Sequence, residues 1–257
     1  MKLFTRLSTL FPALVVASTF VFIATPASAW DWTWGAKVSG SGIIKTETRN
    51  VSSFTGISLS LPAKVEIVQG NTEGISIETD DNILPLIETV VEDGKLRLRF
   101  KDRNMSVSTK TLNMKVNVKT LDSLSVAGSG DLRAAKLKVA NLKTSIAGSG
   151  DVRIASLDAD TLIVSIAGSG DFSAGGKANA VEGKIAGSGD LKIETLAANS
   201  VKLSIAGSGD AKVWAKDTLK ISVAGSGDVA YYGDAKVTQS VAGSGSVKRL
   251  GNAPAGS

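Results

Sequence analysis

The phrase Ala147-Gly148-Ser149-Gly150-Asp151 recurs along the second half of the chain and decides its fold. Six copies keep all five residues, and a seventh ends in serine instead of aspartate. Successive copies begin 20, 20, 19, 20, 18 and 18 residues apart. Such a period is typical of a stack of small identical units. The copies are Ala127–Asp131, Ala147–Asp151, Ala167–Asp171, Ala186–Asp190, Ala206–Asp210, Ala224–Asp228 and Ala242–Ser246.

Apolar and polar residues alternate on both sides of each copy. Leu142, Thr144 and Ile146 share one parity with Val152 and Ile154. Because side chains alternate across a strand, this parity is expected to face a core, and the Ser, Ala and Asp parity to face water. Both glycines of the phrase fall on the inward parity. We expect them at a sharp corner, where a side chain would collide with the core or where φ must be positive.

A strand–corner–strand unit of this length is compatible with two architectures. In a β-solenoid each unit is one coil, and the coils stack in parallel; in an antiparallel sandwich or barrel each Gly-Ser-Gly would be a hairpin loop. Parallel stacking explains why the same residue returns at the same place in seven consecutive turns, since each residue then lies on its own copy in the next coil. The sequence therefore predicts an all-β solenoid with coils of about 20 residues.

The chain before the repeats also alternates, but less regularly. Glu92-Asp93-Gly94-Lys95 is a tight-turn signal, and Asn82–Val91, which contains Pro85, predicts a short helix or an irregular bend. We expect a cap segment at residues 30–45, irregular β coils at 46–120, the regular solenoid at 121–250 and a flexible tail at 251–257. The predicted strands of the irregular part are Lys64–Val68, Ile75–Thr79, Lys95–Phe100 and Asn113–Val118.

Residues 1–29 read as a secretory signal peptide. Lys2 and Arg6 form a basic start, Leu10–Ala24 is an apolar run, and Ala27-Ser28-Ala29 is a small-residue cleavage signal. A retained membrane anchor is disfavoured because the run is short, and no later stretch is long and apolar enough to span a bilayer. We expect export to the periplasm, the cell surface or the medium.

Composition excludes several classes of function. Loss of the signal peptide leaves 27 basic and 24 acidic residues, a net charge of +3, and these charges are mixed along the chain. Nucleic acid is therefore not an expected partner. The chain has no Cys and no His, which removes disulfides, thiolate metal sites and the commonest general base. We predict no catalytic residue, no metal site and no cofactor.

The chain resembles the head GIN domain family, the adhesin heads of exported bacterial proteins. The resemblance rests on Phe54-Thr55-Gly56-Ile57, Asn82-Ile83-Leu84-Pro85 and Glu92-Asp93-Gly94-Lys95-Leu96, followed by the serial Ala-Gly-Ser-Gly-Asp copies. It spans roughly residues 40–250. It implies a right-handed parallel β-helix in a cell-envelope setting, and it carries over no catalytic residues because the family has none defined.

The repeated aspartates should form a column on the outer face, where like charges repel. A neighbouring basic column two residues on, a bound calcium ion or a dedicated ligand contact would each offset that repulsion. The seven serines are better explained as a structural position than as nucleophiles, since no His stands beside them. Trp30, Trp32 and Trp34 would either cap one end or stack on sugar rings. The ligand-binding candidates are Asp131, Asp151, Asp171, Asp190, Asp210, Asp228, Trp32 and Trp34.

These features favour a non-enzymatic, adhesin-like envelope protein. Ser145, Ala147, Ser149, Asp151 and Arg153, with their copies, would tile a flat polar surface that binds a polysaccharide or an envelope protein through many weak contacts. A polysaccharide-degrading β-helix enzyme is the first alternative, and a structural scaffold without a ligand is the second. Because open solenoid ends expose strand edges, self-association through the ends is also expected.

Overall fold

The computed structural model describes residues 37–102 and 104–254. Strands account for nearly all of its regular structure, and they form a β-solenoid of about six turns with coils of about 20 residues. The predicted solenoid is therefore confirmed. In the described residues no helix is both long and apolar enough to cross a membrane. The predicted signal peptide and the three N-terminal tryptophans lie outside the described residues.

The regular part begins with β10 (Ser123–Gly128), after which each coil is one long strand. These strands pair in parallel with the next coil, with Ala127, Ala147, Ala167 and their later copies in direct register. The last coil is divided between two strands. The remaining bounds are β11 Asp131–Gly148, β12 Val152–Gly168, β13 Phe172–Gly187, β14 Leu191–Gly207, β15 Ala211–Gly225, β16 Val229–Tyr232, β17 Lys236–Gly243 and β18 Val247–Gly251.

Each coil bends so that its apolar side chains enclose one core. Strict alternation of buried and exposed residues lapses at Ala135-Lys136 and at Ala140-Asn141, where two exposed residues follow one another. Pairing of β11 with β12 also skips Ala135 and Ala140. Each coil therefore has three outward faces, and its inward side chains, such as Phe172, stack on those of the neighbouring coils with almost no exposure.

The Gly-Ser-Gly phrase forms the third corner, and both glycines are required there. The first one, Gly168 for example, has φ +128° and its carbonyl oxygen accepts the N–H groups of Ser188 at 2.9 Å and Gly189 at 3.1 Å in the next coil. The second one, Gly170, is buried, and a Cβ there would lie 2.1 Å from the carbonyl oxygen of Gly150. The corner expected from the inward parity is thus present.

The part before the repeats contains nine strands and one turn of 3-10 helix, Leu84–Leu86. The four strands predicted there are all present within one residue of their ends, and the region around Asn82–Val91 holds the helical turn followed by a strand. The bounds are β1 Lys37–Ser39, β2 Ile44–Arg49, β3 Gly56–Leu59, β4 Lys64–Gln69, β5 Gly74–Asp80, β6 Ile87–Glu92, β7 Lys95–Phe100, β8 Ser106–Ser108 and β9 Leu112–Val118.

These strands extend the stack in an order that differs from the chain order. The coil made of β3 and β4 pairs in parallel with β10 and β11 on one side and with β7 and β9 on the other. Antiparallel strands then close this end: β6 pairs with β7, β5 with β9, and β2 with β5. The irregular coils are therefore partly parallel and partly antiparallel, and the first coil in sequence lies inside the stack.

Candidate functional site

The short segment that follows each Gly-Ser-Gly corner presents two rows of charged side chains. We call the outward side of Asp131–Ala135 and its copies the Asp face. The acidic row contains the six repeated aspartates. The basic row lies two residues further along and consists of Arg133, Arg153, Lys192, Lys212 and Lys248, with Ser173 and Ala230 at the equivalent position of the two remaining coils. Backbone hydrogen bonds of 2.9 Å, such as Val152 N–H to the carbonyl oxygen of Asp171, place each aspartate above the one in the preceding coil.

The acidic row is a hydrogen-bond ladder. The Oδ1 atom of Asp151 accepts the backbone N–H of Asp171 at 3.0 Å, and Asp171 does the same for Asp190 at 3.0 Å. The pattern continues from Asp190 to Asp210 at 3.1 Å and from Asp210 to Asp228 at 2.8 Å. Each carboxylate from Asp151 onward is thus stabilised by a donor of the next coil, which explains why like charges can stack at the spacing of strands.

The ladder ends where the phrase changes. Ser246 replaces the seventh aspartate, and both its N–H and its hydroxyl donate to Asp228 Oδ1, each at 2.8 Å. Both hydrogen bonds lower the pKa of Asp228 below its ordinary value of 3.8, and the bond from the hydroxyl has the larger effect. A serine can donate to the preceding carboxylate in this way, whereas an ionised aspartate at this position could not donate through its side chain.

The basic row neutralises the acidic row at two places rather than along its whole length. Lys192 Nζ lies 2.7 Å from Asp171 Oδ2 and 3.1 Å from Asp190 Oδ2. The hydrogen bond to Asp171 is the largest cause that raises the pKa of Lys192 above 10.5. Arg133 reaches Asp131 at 3.8 Å. Three further cations, Arg153, Lys212 and Lys248, have no carboxylate within 4.0 Å among the described residues. The cations of the expected basic column lie in register but are interrupted by Ser173 and Ala230, and backbone donors replace most of the column's predicted role.

The Asp face ends in a groove on the N-terminal side. Here the rows continue across the paired strands β12, β11, β4, β9, β5 and β2, of which the last two run antiparallel. The groove has a volume of about 680 Å³. The small side chains of Ala135 and Ala155 line one side of it, and Met114 and Val65 contribute apolar surface. This volume lies within the range of small-molecule binding sites.

Positive charge dominates the polar lining of this groove. Arg153, Arg133, Glu66 and Lys115 lie opposite one another in a single row. Lys64 and Glu78 belong to the neighbouring row, which also contains Asn113 and Thr46. Within the described chain, Lys64, Lys115 and Arg153 have no carboxylate within 4.0 Å. Four cations against two carboxylates favour an occupant that carries negative charge.

The structure brings the six predicted aspartates together in one row, while Trp32 and Trp34 fall outside the described residues. Across the part of the chain that the structure describes, no three acidic side chains converge to hold a metal ion. The predicted flat polar surface is divided into two faces, because the chain turns at Gly148 between Ala147 and Asp151. Sequence reasoning missed the groove, since its lysines and glutamates come from strands far apart in the chain and carry no repeated phrase.

Comparison with known proteins agrees with this architecture. The family model described as "Putative auto-transporter adhesin, head GIN domain" matches residues 53–235. Among functionally curated proteins, none matches significantly.

Several solved structures are similar over their entire length. A protein from Bacteroides fragilis, described as a putative adhesin, is 27% identical with a TM-score of 0.78, covering 83% of this chain and 100% of that one. A protein from Parabacteroides distasonis, described as a putative lipid binding protein, is 26% identical with a TM-score of 0.72, covering 83% and 99%. A putative adhesin from Parabacteroides merdae is 25% identical with a TM-score of 0.67, covering 84% and 100%.

Proposed function

Because the chain belongs to the auto-transporter adhesin head GIN domain family, we propose that it is an exported, non-enzymatic binding protein whose Asp face holds a surface polysaccharide. The periplasm, the cell surface or the medium is the compartment of action. The bound polymer lies along the solenoid axis, from the groove toward the C-terminal coils. The aspartates and the cations beside them, rather than one deep pocket, are the contacts.

The observation that carries this proposal is a row of carboxylate acceptors on one face, four of which have a cation two residues further along the strand. Since Oδ1 of each ladder aspartate is occupied by a backbone N–H, Oδ2 points to the other side of the carboxylate. Among the described residues, Oδ2 of Asp151 and of Asp210 has no hydrogen-bond partner. Lys212 lies beside Asp210 in the same way as Arg153 lies beside Asp151. Sugar hydroxyls both donate and accept, so the coils that present both a carboxylate and a cation match a chain of sugars.

Repetition supplies affinity that a single coil does not. A contact between one hydroxyl and one exposed carboxylate is weak, because water competes for both groups. A polymer that meets the same contact in several coils gains from each further contact at a high effective concentration. The excess positive charge of the groove adds an attraction for sugars that carry carboxylate or phosphate groups, and this part of the affinity is expected to fall as salt is added.

The test is a sedimentation assay with insoluble polysaccharides and with whole cells, with and without calcium. A variant with Lys64, Lys115 and Arg153 replaced by Gln removes three cations of the groove. Its matched control replaces three exposed lysines on the other faces, Lys136, Lys143 and Lys220, and therefore has the same net charge. We expect saturable binding by the wild type and the control, and weaker binding by the groove variant.

Four results would contradict the proposal. Equal losses in the two triple variants would indicate attraction by net charge alone, and release of soluble sugar would make the protein an enzyme. Absence of binding to every polysaccharide and to cells would leave an envelope scaffold. Lipid vesicles form a further arm of the assay, because one structural neighbour is described as lipid binding; binding to vesicles but not to polysaccharide would replace the proposed ligand.

A further inference from the structure

The two ends of the solenoid differ in how their strand edges are protected. At the N-terminal end the outermost strands β2 and β6 are rich in charge, and Arg49 of β2 donates to the carbonyl oxygens of Leu84 at 2.9 Å and Ile87 at 2.8 Å. Charged side chains on an edge discourage pairing with another strand. This end is therefore closed to further pairing.

At the C-terminal end β18 carries Lys248 and Arg249, and Arg249 donates to the carbonyl oxygen of Gly233 at 2.9 Å, but β17 lacks these devices. Strand β17 pairs with β15 on one side, and no strand among the described residues pairs with its other edge. It is eight residues long, has a charge only at its first residue, Lys236, and contains no proline. Residues 238–244 are exposed in succession, and Val241 keeps 38% of its surface in contact with water. A long edge of this kind, with no charge after its first residue, is a template for another strand.

A further parallel coil would lack the carboxylate ladder at this edge. From Asp151 to Asp228 each aspartate accepts the N–H of the next coil, whereas Ser246 has no carboxylate and directs its hydroxyl back to Asp228. The ladder is thus terminated in the last coil. Antiparallel pairing remains, and it requires no continuation of the ladder, because a second copy related by a two-fold axis presents the same edge in the opposite direction.

We propose that two copies of the chain associate end to end through antiparallel pairing of their β17 strands, with the two-fold axis at Gln239. Directly opposite residues in an antiparallel pair point to the same face, so Val237 and Val241, which lie in register with core residues of β15, must meet inward-facing partners. An axis at Gln239 places Val237 opposite Val241 of the second copy. The edge is then self-complementary.

The same axis gives a role to a polar residue at a core position. Gln239 lies in register with Ile221, which is only 4% exposed, yet Gln239 itself is exposed in the single chain. Across the two-fold axis Gln239 lies opposite its own copy, and two amides can donate to and accept from one another. Pairing would cover Val241 and join the two cores. This inference does not depend on the proposed ligand.

The experiment exploits the absence of cysteine from the chain, since one introduced cysteine can form only an intermolecular disulfide. The full sequence is expressed, and the protein is purified as the cells process it. In this protein Gln239→Cys is expected to give a disulfide-linked dimer under mild oxidation, because directly opposite Cα atoms lie about 4.5–5.5 Å apart. Lys236→Cys is the matched control: it is equally exposed, but its two copies would be six residues apart along the pair, about 20 Å.

A second measurement does not depend on oxidation. Sedimentation equilibrium of the wild type is expected to give twice the mass of the chain. Val241→Lys adds a charge to the edge and is expected to give the mass of one chain, with an unchanged circular dichroism spectrum. A wild type that stays monomeric at its highest soluble concentration overturns the proposal. So does a dimer in which Gln239→Cys does not cross-link, or in which both cysteine variants cross-link equally.

Discussion

Replacement of Gly170 by alanine tests the stacking of the corners most directly. A Cβ at this position would lie 2.1 Å from the carbonyl oxygen of Gly150 and 2.8 Å from Cγ2 of Ile146. Since contacts to a Cβ below 3.0 Å do not occur, the two coils must separate locally by roughly 1 Å. That separation weakens two hydrogen bonds to the carbonyl oxygen of Gly148, from Ser169 at 2.8 Å and from Gly170 at 3.0 Å.

The expected cost follows from these contacts. Loss of two hydrogen bonds costs about 2 kcal/mol, and overpacking of a tight site adds about 1–3 kcal/mol, so Gly170→Ala should lower the free energy of unfolding by about 3–5 kcal/mol. For a chain of this size that corresponds to a decrease in Tm of roughly 10 °C or more. Thermal unfolding followed by circular dichroism measures it.

A glycine outside the corners provides the control. Gly70 has no atom within 4 Å of a Cβ position and does not have a positive φ. Gly70→Ala should therefore stabilise the protein by about 0.4–1 kcal/mol, because it restricts the unfolded chain. If Gly170→Ala melts within a degree of the wild type, or if both variants change Tm in the same direction and by the same amount, the reasoning from stacked corners is refuted.

Three further predictions concern charged groups. Asp80, 3% exposed, accepts hydrogen bonds from Gly42 N–H at 2.6 Å and the Thr109 hydroxyl at 2.5 Å, so Asp80→Ala should lower the free energy of unfolding by about 3 kcal/mol in urea titrations, and an unchanged midpoint would contradict this. Ser246→Ala should raise the pKa of Asp228 toward 3.8, as measured by an NMR titration. In the wild type the lowered pKa of Asp228 stabilises the fold above pH 3.8. This contribution is lost as the pH falls through the folded-state pKa. Lys192→Met should cost up to about 1 kcal/mol, and Lys212→Met, its matched control, less. Because the pKa of Lys192 is raised, its contribution is complete below pH 10.5 and is lost as the pH rises through the folded-state value, so a cost that persists at higher pH would argue against the ion pairs.

The regular coils could be predicted from the sequence because each residue pairs with its own copy in the next repeat. Once Ala147 is placed on Ala127, the period determines the register of every strand that follows, and the alternation of residues determines which side is buried. The hairpin of β6 and β7 was equally readable: Asp93 and Gly94 have φ of 52° and 70°, as a turn with two positive φ angles requires, and the flanking strands pair antiparallel.

The order of the N-terminal strands could not be predicted in this way. Gly56–Leu59 and Lys64–Gln69 are short alternating strands without a repeated phrase, so nothing in their residues distinguishes one neighbour from another. Their positions are decided by packing between residues far apart in the chain, such as Val65 with Met114. The groove depends on the same pairings, and its location was therefore hidden as well.

The inserted coil has a consequence for the time course of folding. Val65 pairs with Met114 and with Leu132, which follow it by 49 and 67 residues, whereas each coil of the repeat finds its partner within about 20. Closing such long loops is slow compared with adding neighbouring coils. Because synthesis begins at the N-terminus, the first coil cannot pair on both sides until about half of the chain has been made.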